Sequence, residues 1–307
     1  MKILVTGSEG TLGRPLVAQL KKNGHDVWCC DLQHSNTPQF FRADVGIYRQ
    51  IEKAIRTVQP DLIYHLAAEF GRQNGEDYYE QVWQTNAIGT KNILTLQKLY
   101  HFKLLFASSS EIYGEYADNP DLYEDIVDEI PNRPGNDYAI SKWVNELQIQ
   151  NHVKQGQNIM TLRFFNAYGP GEAYHPYRSV VCLFIYRALM HIPFTVFRGY
   201  HRVFMYIDDF IPTLARACER FDKGAVINIG GEEYRSVEDL ATIVLQETGA
   251  PASLVSYLAQ DQHNVVNKQP DIQRACEKLG HDPKILLEEG VAKTVAWMRD
   301  AYDHLLP

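Results

Sequence analysis

Short unbroken apolar runs alternate along the chain with longer stretches in which apolar residues return every three or four positions. The runs "KILVT" (2–6), "DVWCC" (26–30), "DLIYHLA" (61–67), "KLLFASS" (103–109) and "NIMTLRFF" (158–165) are β-rich and read as strands. Helical spacing fills 11–23, 47–58, 79–100 and 138–155. Continuous apolar strands separated by helices predict βαβ units, and so an α/β fold with a doubly wound parallel sheet and right-handed crossovers. After residue 165 the alternation loosens. "NAYGPGEAYHPYRS" reads as a loop, followed by a helix near 179–191 and the short runs "FTVF" and "RVFMYI". "AVINIGG" (225–231) is another buried strand, and the tail carries helical patterns near 236–248, 270–279 and 286–304. With no repeat, low-complexity tract or linker, a smaller interleaved second domain is the simplest organisation.

Composition narrows the field. The 307 residues are 45 % apolar and 22 % charged, which suits one large or two fused soluble domains. A net charge of −8 argues against a general nucleic-acid or acidic-membrane partner, while allowing a local basic pocket. Cys29, Cys30, Cys182, Cys218 and Cys276 stand at no zinc or disulfide spacing, so a cytoplasmic setting is expected. The chain opens directly into a strand, so no signal peptide is expected, and no apolar stretch is long enough to span a membrane.

Two local patterns carry chemistry. "VTGSEGTLGRP" places Gly7, Gly10 and Gly13 after a strand and at the opening of a helix. Glycines there permit a tight turn and close backbone approach to a pyrophosphate, which the helix N-terminus then faces. Asp31 ends the second strand, where a carboxylate can accept both hydroxyls of an adenosine ribose and repel a 2′-phosphate. "LQHSNTPQFF" offers no Lys or Arg to attract such a phosphate, so NAD is expected rather than NADP. Asp44 in "RADV" is a candidate for the adenine amino group. The second pattern is "NDYAISKWVNE", with Tyr138 and Lys142 four apart on one helical face. A cation at about 4 Å and an effective dielectric near 20 stabilises a phenolate by about 4 kcal/mol. That is enough to draw a phenol ordinarily near 10 toward neutrality, where it exchanges protons with a hydroxyl.

Together these stretches resemble an extended short-chain dehydrogenase/reductase of the NAD-dependent nucleotide-sugar epimerase/dehydratase family. The resemblance rests on "TGSEGTLG", "HLAA" (65–68), "SSSEIYG" (108–114), "YAISK" (138–142), "RFFNAYGP" (163–170), "RVFMYIDD" (202–209) and "NIGG" (228–231), in family order across residues 3–231. It implies a Rossmann-type NAD-binding domain at 1–165 plus about 206–232. A smaller C-terminal domain for a nucleotide diphosphate sugar would take about 166–205 plus 233–307. It also implies a homodimer built from helices near 86–100 and 138–155. By the same resemblance Tyr138 is the base for a sugar hydroxyl, Lys142 holds the nicotinamide ribose, and Ser109 binds and relays at that hydroxyl. Ala67 and Ala68 line the cofactor, and Asn86 lies near it. Asn166 touches the diphosphate and Arg202 pairs with a phosphate, where a guanidinium fork suits paired oxygens.

The shared first step in this family is oxidation of the sugar at C4 to a ketone. The fate of that ketone sets the product. Glu111, beside Ser110, resembles the C5 base of 4,6-dehydratases and equally the glutamate of UDP-glucuronate decarboxylases; in a plain epimerase it is only structural or substrate-contacting. Epimerisation or dehydration is the leading expectation, with decarboxylation or net 4-oxidation as alternatives and a non-catalytic NAD sensor as a remote one. An arginine usually precedes the "PD" pair in the tail; here Lys268 stands as its replacement toward a phosphate. The "FRGYHRVF" turn adds Arg198 and His201, and "EAYHPYRS" offers Tyr174, His175, Tyr177 and Arg178 to the substrate cleft. No His or carboxylate stands at ligand spacing from His175, so no metal is expected.

Overall fold

The computed structural model describes residues 1–118, 122–129, 131–259 and 264–305. Its first six strands are β1 (Lys2–Thr6), β2 (Asp26–Asp31), β3 (Phe40–Arg42), β4 (Leu62–His65), β5 (Lys103–Ser109) and β6 (Ile159–Phe164). Short strands follow: β7 (Ala167–Tyr168), β8 (Phe194–Phe197), β9 (His201–Val203) and β10 (Met205–Tyr206). β11 (Val226–Ile229) returns to the main sheet, and β12 (Tyr234–Ser236), β13 (Val255–Leu258) and β14 (Asn267–Lys268) complete the set. The main sheet has seven strands in the order β11-β6-β5-β4-β1-β2-β3, all parallel.

The period of two along β1 explains why the sheet is covered on both faces. Ile3 and Val5 join Leu16, Leu20 and Tyr64 in one core. Leu4 points the other way, with Ile51, Ile55, Ile63 and Leu94. From β1 the chain runs outward to β2 and β3, then returns to β4 on the other side. That reversal opens a crevice beyond the carboxyl ends of β1 and β4, where ligands bind in such sheets.

Several boundaries differ from the sequence reading. The strand expected over 61–67 ends at His65, because Leu66 to Ala68 leave the sheet to line the crevice. The helix expected over 79–100 is three pieces: Tyr79–Val82, a wider π-helical turn Trp83–Ile88, and Gly89–Tyr100. "RVFMYI" divides at Phe204 into β9 and β10, and helix Ile207–Arg216 follows directly. β3 escaped the pattern because three residues are too few to show a period. The tail helices are Val237–Thr248, Gln273–Leu279 and Leu287–Ala301; the first opens on a capping box between Ser236 and Asp239.

Beyond the main sheet, β9 lies between β12 and β14, and β8 pairs with β13. β14 rests against the segment Ser110–Asp118 that follows β5. This contact carries the end of the chain to the head of the sheet.

Candidate active site

Helix Asp137–Lys154 starts cleanly because Asn136 caps it, its Oδ1 accepting the Ala139 N–H at 2.8 Å. Tyr138, Lys142 and Glu146 then recur every four residues on the face toward β5. Lys142 is 4 % exposed; its Nζ donates to the Ala107 carbonyl at 2.8 Å and lies 5.2 Å over the Phe106 ring. Glu146 takes a two-pronged grip from the buried Arg163, at 3.1 and 2.7 Å, and a short bond from Ser108 Oγ. Arg163 also donates to Tyr113 Oη at 2.9 Å and to the Glu124 carbonyl at 2.7 Å. This helix is therefore pinned to β5 and β6 by a buried charge pair in which Arg163 makes two further hydrogen bonds.

The Tyr138 phenol lines the cleft together with Ser109. The expectation that Lys142 lowers its pKa is not met. Burial pushes the phenol up to about 12; the polar Ser109 nearby opposes this and the Glu111 charge adds to it. The Lys142 ammonium is instead tied to Ala107, and burial pulls it down to about 8. Spacing alone put the two side chains on one face, but the lysine reaches past the phenol to the strand.

Glu111 behaves oppositely. Burial works to raise its pKa, but Lys268, Arg72 and Arg202 outweigh it and hold the carboxyl at about 2. Lys268, 1 % exposed on β14, pairs directly with Glu111 Oε1, and Asn136 Nδ2 reaches Oε2 at 3.4 Å. The lysine expected on a phosphate thus meets a carboxylate, and it stands behind the cleft wall rather than in it.

The cleft itself holds about 880 Å³ and runs from the glycine loop to β8 and β9. Gly7, Gly10, Gly13, Asp31, Asp44, Ala67 and Ala68 line one end. Gly7 has φ 73°, and a Cβ on it would lie 2.7 Å from Ala67 N. A Cβ on Gly13 would lie 2.1 Å from the Gly7 carbonyl, so the loop can be this tight only without side chains. Asp31 accepts the backbone N–H groups of Glu9 at 2.9 Å and Gln33 at 3.0 Å. Asp44 accepts that of Gly46 at 2.7 Å. Asn86 lies behind this wall, where it accepts from Glu69 N and donates to Glu69 O, both at 2.9 Å, and so fixes the loop after β4.

Ser109, Ser110, Glu111, Asn166, Arg178 and Arg202 line the other part of the cleft. Asn166 sits at φ 38° and donates to the Val203 carbonyl at 3.0 Å. The Arg178 guanidinium lies 4.8 Å over Phe70. Arg202 donates to the carbonyls of His201, Val265 and Val266 and to Asn264 Oδ1, at 2.6–2.8 Å. Outside the cleft, Arg198 lies over Tyr257, His201 stacks on Tyr234 and Tyr174 on Tyr186. His175 sits beside Tyr177, whose hydroxyl donates to Asp77 Oδ2 at 2.8 Å.

Residues 3–230 match the model of the NAD-dependent epimerase/dehydratase family. The chain belongs to that family. It is similar to UDP-N-acetyl-alpha-D-glucosaminuronate decarboxylase of Bacillus cytotoxicus, 27 % identical over 97 % of this chain and 98 % of the relative. It is also similar to UDP-glucuronic acid decarboxylase 3 of Arabidopsis thaliana, 31 % identical over 95 % of this chain and 87 % of that one. Among solved structures, UDP-glucose 4-epimerase of Thermotoga maritima with UDP-glucose superposes at a TM-score of 0.88, 27 % identical, covering 98 % of this chain and 99 % of that one.

As a member of the epimerase/dehydratase family the chain is an NAD-dependent enzyme of nucleotide-sugar chemistry. Its own residues fit that cofactor: a loop closed to any Cβ at Gly7 and Gly13, with a strand-end carboxylate at Asp31. Two residues of the candidate site were missed from sequence. Asn136 had a usable signal, an amide residue directly before a helical run. Arg72 had none, since it opens a helix too short to show a period and reaches the Glu111 neighbourhood only through the fold.

Proposed function

We propose that this family member binds a UDP-linked sugar acid, oxidises it at C4, and releases the C5 carboxyl group as carbon dioxide. The observation that carries this reading is Glu111, held ionised by Lys268 beside Arg72 and Arg202 and in the same cleft as Tyr138 and Ser109. The names of the Bacillus and Arabidopsis relatives support it.

The bound cofactor supplies the hydride acceptor at C4. Tyr138 takes the O4 proton, with Ser109 lining the same cleft and Lys142 tied to the Ala107 carbonyl one helical turn on. The resulting 4-keto uronic acid is a β-keto acid. Its C5–C6 bond breaks, the bonding pair moves into the C4 enolate, and carbon dioxide leaves without a strong base. Tyr138, a weak acid buried with its proton, hydrogen-bonds the enolate oxygen. Glu111, ionised and paired with Lys268, is a poor base at about 2, so it takes no proton in this step and keeps the charge of the cleft wall fixed. C5 then gains a proton, and C4 takes back the hydride that the cofactor would hold while Tyr138 returns the proton to O4, which leaves a UDP-pentose and the cofactor oxidised again.

Incubating the protein with NAD and UDP-glucuronate, with product NMR and carbon dioxide capture, tests the reading. A UDP-pentose and one carbon dioxide per turnover are expected. A second reading, C4 epimerisation, is favoured by the superposition on UDP-glucose 4-epimerase. UDP-galactose from UDP-glucose with no gas release establishes it instead, and a 6-deoxy-4-keto product indicates dehydration.

Three coarser assignments accompany this reading. The sheet and its crevice, 1–165 plus about 206–232, form the cofactor half, and about 166–205 plus 233–307 the substrate half. Exposed Ile88, Leu99 and Leu147 on the helices near 86–100 and 138–155 support a homodimer through those helices. Five unpaired cysteines support a cytoplasmic setting. No helix among the described residues is long and apolar enough to cross a membrane.

A further inference from the structure

We propose that Arg178 receives the carboxylate that the substrate's sugar carries at C5, and so sets a preference for acidic over neutral sugars. This rests on the reading that the substrate is a uronic acid. Arg178 lies at the end of the loop between β7 and helix Val180–Leu189, and it lines the same cleft as Ser109, Glu111 and Tyr138.

The loop that carries it is closed on itself. Glu172, 6 % exposed, accepts the Ser179 N–H at 2.9 Å and the Ser179 hydroxyl at 2.7 Å. Ser179 Oγ in turn accepts the Cys182 N–H at 3.2 Å and so caps helix Val180–Leu189. The Arg178 N–H donates to the His175 carbonyl at 3.0 Å. The same loop rests on the connection after β4. Tyr177 Oη donates to Asp77 Oδ2 at 2.8 Å, and a Cβ on Gly71 would lie 2.9 Å from the Tyr177 carbonyl oxygen. That connection packs on the start of the helix that carries Tyr138, where a Cβ on Gly75 would lie 2.8 Å from Tyr138 N. Arg178 is therefore tied, through this connection, to the side of the cleft that holds Tyr138.

The guanidinium has a support but no anion. It lies 4.8 Å over the Phe70 ring. Its Nε is buried without a hydrogen-bond partner, and among the described residues no ion pair or hydrogen bond holds its terminal nitrogens. The Glu172 carboxylate feels its charge, but Glu172 spends one oxygen on the Ser179 N–H and the other on the Ser179 hydroxyl. A buried donor left unpaired is costly, so a ligand that accepts from it is favoured. Nε and one terminal nitrogen form the fork that a carboxylate fills with two parallel bonds. The sugar ring decides which anion this is. The diphosphate hangs from C1, across the ring from C4, whereas the C5 substituent is the neighbour of C4, whose hydroxyl faces Tyr138 in the proposed reaction. A neutral hydroxymethyl group at C5 makes no such pair.

The test is calorimetric binding of UDP-glucuronate, UDP-glucose and UDP to the NAD-loaded full chain, for wild type, Arg178→Gln and Arg178→Lys. The wild type is expected to prefer UDP-glucuronate to UDP-glucose by about tenfold or more, the worth of a charge-assisted bond. Arg178→Gln erases that preference and leaves UDP and UDP-glucose within about twofold. Arg178→Lys, which keeps the charge but not the fork, restores part of it. Equal losses for all three ligands overturn the proposal in favour of a diphosphate or structural role. An unchanged preference in Arg178→Gln overturns it too, as does a wild type with no preference. Carbon dioxide release is read separately. If the wild type releases none while Arg178→Gln loses only the uronate preference, the decarboxylase reading falls and the role of Arg178 stands. If carbon dioxide is released and Arg178→Gln keeps the preference, the reverse holds.

Discussion

The two ends of the cleft are built by different means. At the end proposed for the cofactor, one stretch of chain does most of the work: Gly7, Gly10 and Gly13 form a turn that is closed to a side chain at Gly7 and Gly13, and Asp31 sits one helix and one strand later. At the end proposed for the sugar, Arg72, Glu111, Arg202 and Lys268 come from four segments and meet as charges. The first end depends on backbone shape, the second on electrostatic balance in a buried place. The same contrast divides two neighbouring ionisable groups. Burial dominates at Tyr138 and pushes it up to about 12, while cations overrule burial at Glu111 and hold it at about 2.

The sharpest way to break this comparison is to remove one partner of the buried pair. Lys268→Met leaves Glu111 unmatched and is expected to destabilise the protein by about 3–5 kcal/mol at neutral pH, read by chemical denaturation. The pH dependence has a definite sign. Glu111 has a folded pKa below its ordinary 4.5, so its contribution is complete above that value and disappears as pH falls toward 2. In the variant the Lys268 charge no longer opposes burial, which raises the Glu111 pKa, so the deficit should shrink as the solution is acidified. A deficit independent of pH between about 7 and about 4 would show that Lys268 acts by packing.

Tyr138→Phe removes the hydroxyl proposed to accept the O4 proton while keeping the ring. Turnover is expected to fall by at least about a hundredfold, the low end of general acid–base contributions, with NAD affinity within about twofold. Loss of NAD binding instead would mean the phenol belongs to the cofactor end. The smallest effect is expected at Asp31→Asn. Weakening a pair of charge-assisted bonds to the ribose should cost roughly tenfold in NAD affinity and narrow the preference over NADP. Titration of both dinucleotides by fluorescence checks it, and an unchanged ratio would place cofactor choice elsewhere.

Much of this was legible in the chain because it is local. A strand, a glycine turn and a helix with a tyrosine and lysine four apart are each written in short stretches of neighbouring residues. Buried strands show themselves as apolar runs, as β1, β5 and β6 do. The sequence misjudged features whose cause lies elsewhere in the fold. The end of β4 at His65 is set by the crevice beyond it, and the π-helical turn at Trp83–Ile88 has no periodic mark. Lys268 read as a phosphate ligand because its partner stands 157 residues away.

By itself, then, the sequence determined the parallel sheet, the dinucleotide loop and the placing of Tyr138 and Lys142 on one helical face, since steric freedom and periodicity act between near neighbours. Only the tertiary structure decided that Lys142 is anchored on Ala107 rather than on the phenol, that Lys268 neutralises Glu111, and that Arg72 stands beside them. The physical reason is that charge acts through space in a poorly solvated cleft, and distance through space is set by how the sheet brings remote segments together.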